Sequence, residues 1–230
     1  MKHLIKTADS SSLAAVNYNR VILNTTTDNV TIDYSYVDLG LPSGLKWATR
    51  NIGAEKETDA GLYFAWGETT GYTASQVGTD KQFSWSNYKY GNSSSNLTKY
   101  NQSDGKTVLE PEDDAASQIM GGDWRMPTKA EFDELLSGTT NEWIADYKGT
   151  GVSGRKFTSK TDTSKYIFIP AAGNCDSGSV SNVGSLGNVW SSSLDASSPD
   201  YAWYLNFSSG YCFVSNGYRF YGRSVRGVRA

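Results

Sequence analysis

The sequence predicts an α+β fold, and three observations carry that expectation. The chain of 230 residues holds 23 Gly and only 3 Met, with 13% aromatic residues, a composition that suits strands and turns better than a helical bundle. Apolar residues alternate at several places with the period of half-buried strands. Helix-starting signals occur at two points, and both lead into short apolar patterns. Hydrophobic residues make up 38% of the chain, so the core must lean on rings. The length suits one large domain, or a domain with a small appendage.

Residues 1–36 read as an N-terminal β arm. Val21 and Leu23, then Val30, Ile32 and Tyr34, alternate on either side of TTTDN, which supplies turn chemistry between two strands. The pair is expected either to edge the main sheet or to serve as an arm for attachment and homo-oligomer formation. The opening MKHLIKTADSSSLAAV is basic but has no apolar run of signal-peptide length, and no segment approaches membrane-spanning length. The expectation is a protein that acts without Sec export or has lost a leader, with no membrane insertion.

Residues 37–230 read as one domain, without tandem repeats or a dividing linker. VDLGLPSGLKWATRNIGA is strand, Pro-Ser-Gly turn and strand, and Gly61, Tyr63, Phe64 and Trp66 suggest a buried strand. Residues 72–106 are polar and rich in Ser, Asn, Tyr and Gly. Phe83, Trp85, Tyr88, Tyr90 and Tyr100 in this stretch favour a packed, ordered loop. Pro111 and the acids after it suit the first turn of a helix through AASQIM, which Gly121 and Gly122 end. Thr128 and Glu131 form a capping-box pattern for a second helix, with Phe132, Leu135 and Leu136 on its core face. KFTSKTDTSKYIFIPAAG reads as a hairpin with a central second strand, Tyr166 to Ile169. Trp47, Trp66, Trp124, Trp143 and Trp190 are expected to anchor the core.

Charge and chemistry-bearing residues narrow the function. Net charge is −3 and no basic stripe appears, which argues against nucleic acid as a partner. Arg219, Arg223, Arg226 and Arg229 are expected to make ion pairs and hydrogen bonds inside the fold. The only histidine, His3, leaves no Ser-His-Asp or Cys-His arrangement and no zinc site. Cys175 and Cys212 give no disulfide framework or C-x-x-C motif, and two free thiols are expected. For calcium, Asp113, Asp114, Asp123, Asp176 and Asn182 are the candidates. No EF-hand-like loop accompanies them, and capping and solvation explain them better. No metal and no cofactor is expected.

The C-terminal stretch from Asn188 to Ala230 interleaves two residue sets. Trp190, Trp203, Leu205, Phe207, Val214, Val225 and Val228 look like scaffold. Tyr201, Tyr204, Tyr211, Phe213, Tyr218, Phe220 and Tyr221 are diluted with Ser, Asn, Asp and Gly, the composition of antibody contact loops. Alternation puts Trp203, Leu205 and Phe207 on one face and Tyr204, Asn206 and Ser208 on the other. The second set suits solvent better than core. Past Gly210, Tyr211 to Val214 are consecutive, so some of these rings are expected to be buried. The alternative is a strand pair whose rings all pack inside.

The strings GLPSGLKWATRNIG, GLYFAWGET, PEDDAA, GGDWRMPTKAEFDELL, IFIPAAG, WSSS, AWYLNF and GRSVRGVR occur in this order. Together they resemble the C-type-lectin-fold domains of gut Bacteroidales and their phages. Those domains are similar to the Fibrobacter-type paralogous domain and, more distantly, to formylglycine-generating enzymes. The terminal segment resembles the variable region of a diversity-generating retroelement target protein. The resemblance implies a C-type lectin fold with two short helices, antiparallel strands and long structured loops. It also implies a diversified segment at residues 195–221, with Asp195, Asp200, Tyr201, Tyr204, Asn206, Tyr211, Phe213, Ser215, Asn216, Tyr218, Phe220 and Tyr221 as ligand-binding positions. Cys212 belongs to the same varied set. Cys175 and Cys212 do not match the cysteine pair of the formylglycine-generating relatives, so no oxidase activity is carried over. The expected role is non-catalytic recognition of a protein or glycan on a cell surface, from a phage virion or a bacterial surface. A fixed-specificity carbohydrate-binding or adhesive domain is the alternative.

Overall fold

The structure, a computed structural model, describes residues 21–22, 31–32 and 34–230. The chain divides into two compact units, the first ending at Tyr34 and the second running from Ser35 to Ala230. In the first, β1 (Val21–Ile22) pairs antiparallel with β2 (Thr31–Ile32), Val21 opposite Ile32. Leu23, Val30 and the TTTDN turn lie outside the described residues.

The second unit has an α+β architecture of short helices and small antiparallel sheets. β3 (Tyr36–Asp38) and β4 (Lys46–Ala48) pair across the Pro-Ser-Gly turn, where Gly44 adopts φ +71°, a conformation glycine reaches without strain. The run expected as a buried strand is buried, with Tyr63, Phe64 and Trp66 all at 1% exposure or less. It forms only isolated bridges, because its N–H groups go to unrelated acceptors. Leu62 donates to Ile52, Phe64 to Arg223 and Trp66 to Arg219. The long loop that follows is ordered, with Phe83 and Tyr100 fully buried around a small hairpin of β5 (Gly91–Ser93) and β6 (Asn96–Leu97).

Pro111–Asp113 is a separate 3-10 turn, so the first helix begins later than its proline suggested. α1 (Ala115–Met120) is capped by Asp114, whose carboxylate accepts from the Ser117 N–H at 2.9 Å. α2 (Lys129–Gly138) starts on the expected capping box. Thr128 Oγ1 accepts from the Glu131 N–H at 3.3 Å, and the Thr128 N–H donates to Glu131 at 2.8 Å. β7 (Thr139–Ile144) follows directly on Gly138 with no intervening turn, and its TTNEWI lacks the apolar-polar alternation of a half-buried strand. It leads a three-stranded sheet with β8 (Gly154–Ser159) and β9 (Tyr166–Pro170).

A hairpin of β10 (Asn174–Asp176) and β11 (Ser179–Ser181) precedes the last meander. That meander is β12 (Gly187–Leu194), β13 (Tyr201–Phe207) and β14 (Cys212–Tyr218), in spatial order. β15 (Val228–Arg229) closes the domain against β4. The main core draws Trp47, Phe132, Leu135, Phe157, Ile167, Ile169, Val189, Leu205, Phe207 and Val228 from α2 and three sheets. Trp66 and Trp190 are fully buried too, Trp124 nearly so, and Trp143 packs on the core's margin.

Candidate ligand-binding site

β13 is the central strand of the meander and β14 lies at its edge. The register sets Tyr204 opposite Trp190 on one side and Ser215 on the other, and sets Asn206 opposite Phe213. Leu205 and Phe207, with Val189 and Val214, turn towards the core. By alternation, Tyr204, Asn206, Phe213 and Ser215 therefore share the other face.

That face is only partly open, which corrects three expectations. Tyr204 is 8% exposed. Its ring meets Trp190 edge-on at 5.8 Å, and the Arg223 guanidinium lies 3.5 Å from its centre. The cause is the chain beyond β14, which returns to pair alongside β12 and lays Arg223 on the Tyr204 ring. Val189 bridges Ser224 in parallel, and the Trp190 N–H donates to the Ser224 carbonyl at 3.0 Å. Asp195 is buried as well. Its carboxylate accepts from the Ser197 N–H and hydroxyl and from Asn216 Nδ2 at 2.5 Å. Burial works to raise its pKa, but these donors outweigh it and hold the carboxyl below the ordinary range. It ties the β12–β13 turn to β14. Phe220 is buried between Trp85 at 4.9 Å and Tyr221 at 4.8 Å.

The other positions reach the surface to differing degrees. Tyr211 and Phe213 are exposed at 39% and 45%, their rings 5.2 Å apart, and Asn216 is exposed too. Asp200, Tyr201, Asn206, Ser215, Tyr218 and Tyr221 are half-buried. Tyr201 stacks on Tyr218 at 4.5 Å, Tyr218 on Phe220 at 5.3 Å, and Trp85 meets Tyr218 edge-on at 6.0 Å. The β13–β14 ribbon thus has an aromatic cluster at one end and an exposed ring pair at the other. By register, Tyr201, Asn216 and Tyr218 share the parity of the core-facing Leu205 and Val214, so that cluster lies on the opposite side of the ribbon from Phe213 and Ser215. Cys212 is half-buried and packs against the core, so it belongs with the scaffold.

Three contributors were not singled out from the sequence for this face. Trp85 comes from the long loop, about 130 residues before its neighbours in the chain, and its only signal was the density of rings there. Trp190 lies under Tyr204. Arg223 was expected to be bonded within the fold, as Arg219 and Arg226 are. Arg219 donates to Tyr88 Oη and to the carbonyls of Tyr100, Pro199 and Lys99 at 2.9–3.0 Å. Arg226 donates to Asn51 Oδ1 and the carbonyls of Ala48 and Phe168 at 2.9–3.0 Å. Arg229 pairs with Asp123 at 3.0 Å. Arg223 is 4% exposed, and its Nε and Nη1 have no hydrogen-bond partner among the described residues.

Elsewhere the chemistry-bearing groups act as scaffold. Among the described residues, Glu110, Glu112 and Asp113 form the one group of acids close enough to share an ion. Lys99 contacts Asp113 at 2.5 Å and Glu110 at 2.6 Å, Lys106 contacts Glu110 at 2.5 Å, and Lys89 contacts Asp113 at 3.1 Å. Those carboxylates are already neutralised by the fold's own cations. Asp114 caps α1 and also accepts from the Met126 N–H. The two thiols are unpaired. Burial pushes Cys175 up to about 12 and Cys212 up to about 11, the latter against the pull of Arg155, which disfavours the nucleophilic thiolate at neutral pH.

Against known protein families, curated proteins and solved structures, this chain shows no match.

Proposed function

We propose that the domain is a non-catalytic binding module that presents the outer surface of the β13–β14 ribbon to a ligand on a cell surface. The observation that carries this reading is the Tyr211–Phe213 pair. Among the described residues only five large hydrophobics are exposed, and these two lie against each other on the predicted segment. Adjacent exposed rings on a domain surface mark an interaction site more often than isolated ones do. On the same side they are followed by half-buried Ser215, while exposed Asn216 and the Tyr201–Tyr218 stack lie on the ribbon's other side at its far end. Rigid rings beside small polar side chains give contact area and adaptable hydrogen bonds at low entropic cost.

The backbone beneath is held by the paired strands β12–β14 and the buried Leu205, Phe207 and Val189. Such a frame tolerates exchange of outward side chains without losing the fold. We read the fold as C-type lectin in type and the ribbon as a diversified surface. Two short helices, small antiparallel sheets and a long packed loop support the first reading, and the ordered sequence strings support both. Display from a phage virion or a bacterial surface follows from the same resemblance.

The decisive experiment is binding of labelled protein to intact bacterial cells, with wild type compared with a Tyr211→Ala/Phe213→Ala variant. The expected result is at least a tenfold loss of affinity with an unchanged melting temperature. Undiminished binding by the folded variant would move the site off this ribbon. Sequencing the flanking DNA tests diversification separately. A reverse transcriptase gene with a near-copy template differing at adenines is expected, and its absence would leave a fixed-specificity binder.

A further inference from the structure

Of the three buried arginines among the described residues, two engage all three guanidinium nitrogens with acceptors within the chain. The third does not. Among the described residues, Arg223 Nε and Nη1 meet no acceptor and no carboxylate pairs with its guanidinium. What surrounds it is aromatic: Tyr204 at 3.5 Å, Trp190 at 4.1 Å and Tyr221 at 5.3 Å from ring centre to guanidinium carbon. Ring faces stabilise the positive charge but do not replace strong acceptors for a forked set of N–H donors. An unmet buried donor is costly enough to need a reason. Gly217 of the edge strand lies over Nη2, where a Cβ would come within 2.7 Å. One face position further along β13, Asn206 Oδ1 is also buried without a partner. A donor and an acceptor therefore stand unsatisfied under the same ribbon.

We propose that Arg223 is the anchor of an oxyanion subsite and receives a carboxylate carried by the ligand. This rests on the ribbon being the binding face. A guanidinium fork matches the two oxygens of a carboxylate, and water exclusion by the flanking rings strengthens the contact. Tyr221, half-buried beside Arg223, is the ring the carboxylate passes. Gly217 keeps a side chain off the guanidinium, since a Cβ there would come within 2.7 Å of Nη2.

The carboxylate belongs to an acidic sugar or to an acidic amino-acid side chain, and small probes separate these sources. The side-chain Nε–H resonance of Arg223 in the wild-type full chain would be followed by NMR at constant ionic strength. The titrants are glucuronate against glucose, and N-acetylglutamate against N-acetylglutamine. The expected result is a saturable shift with one or both acids, several-fold larger than with its neutral counterpart, and the stronger acid names the source. No shift with either acid, or an equal shift with the neutral compound or with sodium chloride, would overturn the proposal. An Arg223→Lys variant should weaken the response several-fold, and an unweakened response in that folded variant would also overturn it. If the variant fails to fold, the wild-type titration still decides. Cell binding is measured separately, so loss of the ribbon reading and loss of this subsite give different results.

Discussion

Asp113 illustrates how a single residue holds a long loop. Its buried carboxylate accepts from Lys99 at 2.5 Å, from Lys89 at 3.1 Å, from Tyr100 Oη at 2.8 Å and from Tyr90 Oη. Burial alone would raise its pKa, but the hydrogen bonds from Lys99, Tyr90, Tyr100 and Lys89 override it and hold the carboxyl far below the ordinary range. A folded-state pKa below the unfolded value gives stability that is present above the unfolded pKa, about 4, and is lost as the pH falls through that value towards the folded one. The melting temperature should therefore fall steeply below about pH 4. Asp113→Asn should lower it at neutral pH by roughly 5 °C, for the loss of about 2 kcal/mol of charge-assisted hydrogen bonding. The variant should also show a shallower acid limb. Thermal melts of both proteins across pH check this, and parallel acid limbs would assign the acid sensitivity to other carboxylates.

At the scale of elements, the meander depends on glycine at one cross-strand pair. Gly187 of β12 faces Phe207 of β13, and a Cβ there would lie 1.9 Å from the Phe207 ring. The ring uses the space the glycine leaves and is fully buried in the core. Gly187→Ala must push Phe207 off its seat, at a cost of about 1–3 kcal/mol. A denaturant midpoint unchanged from wild type would show that the pair repacks freely. The capping box of α2 offers a milder comparison. Thr128→Ala should cost about 1 kcal/mol, because the Glu131 N–H then loses its side-chain acceptor. Both elements feed the same core: α2 through Phe132 and Leu135, β13 through Leu205 and Phe207. Thr128→Ala should reach the ribbon only through stability, so ligand affinity below the melting range should be retained. Gly187→Ala, by contrast, displaces Phe207 of β13 itself, which pairs with Cys212 beside Phe213.

For the whole molecule, Ser35–Ala230 contains its own core and closes on itself. β15 pairs with β4, which pairs with β3, so the last strand and the first strand of this unit share one sheet. Residues 35–230 expressed alone should therefore melt within about 2 °C of the full chain. A drop several times larger would show that the first unit contributes to the stability of the second. Legibility from sequence followed the range of the interaction. The α2 capping box, the β8–β9 hairpin, the core tryptophans and the packed 72–106 loop were visible because their signals are local or compositional. β7 was missed although Gly138 marks the end of α2, because TTNEWI shows no apolar-polar alternation to announce a strand. The buried run at Tyr63–Trp66 was right in burial and wrong in regularity, since its partners are scattered along the chain.

The candidate face divides along the same line. In β13, sequence alone separated Tyr204 and Asn206 from the inward Leu205 and Phe207, because a two-residue period is a property of any strand. Past Gly210 the consecutive apolar residues hid the period, and Asn216 and Tyr218 share the parity of Val214. Sequence also marked Tyr211 and Phe213, which are exposed. Only the tertiary structure decided how much of the outward set meets solvent. Tyr204 and Phe220 were taken inside when the chain after β14 returned to pair alongside β12, and Asp195 when it was drawn into bonds with Ser197 and Asn216. Tertiary packing also split three similar arginines. Arg219 and Arg226 fell among free acceptors, while Arg223 fell among rings. Alternation says which way a side chain points, but what waits there is set by residues distant in the chain.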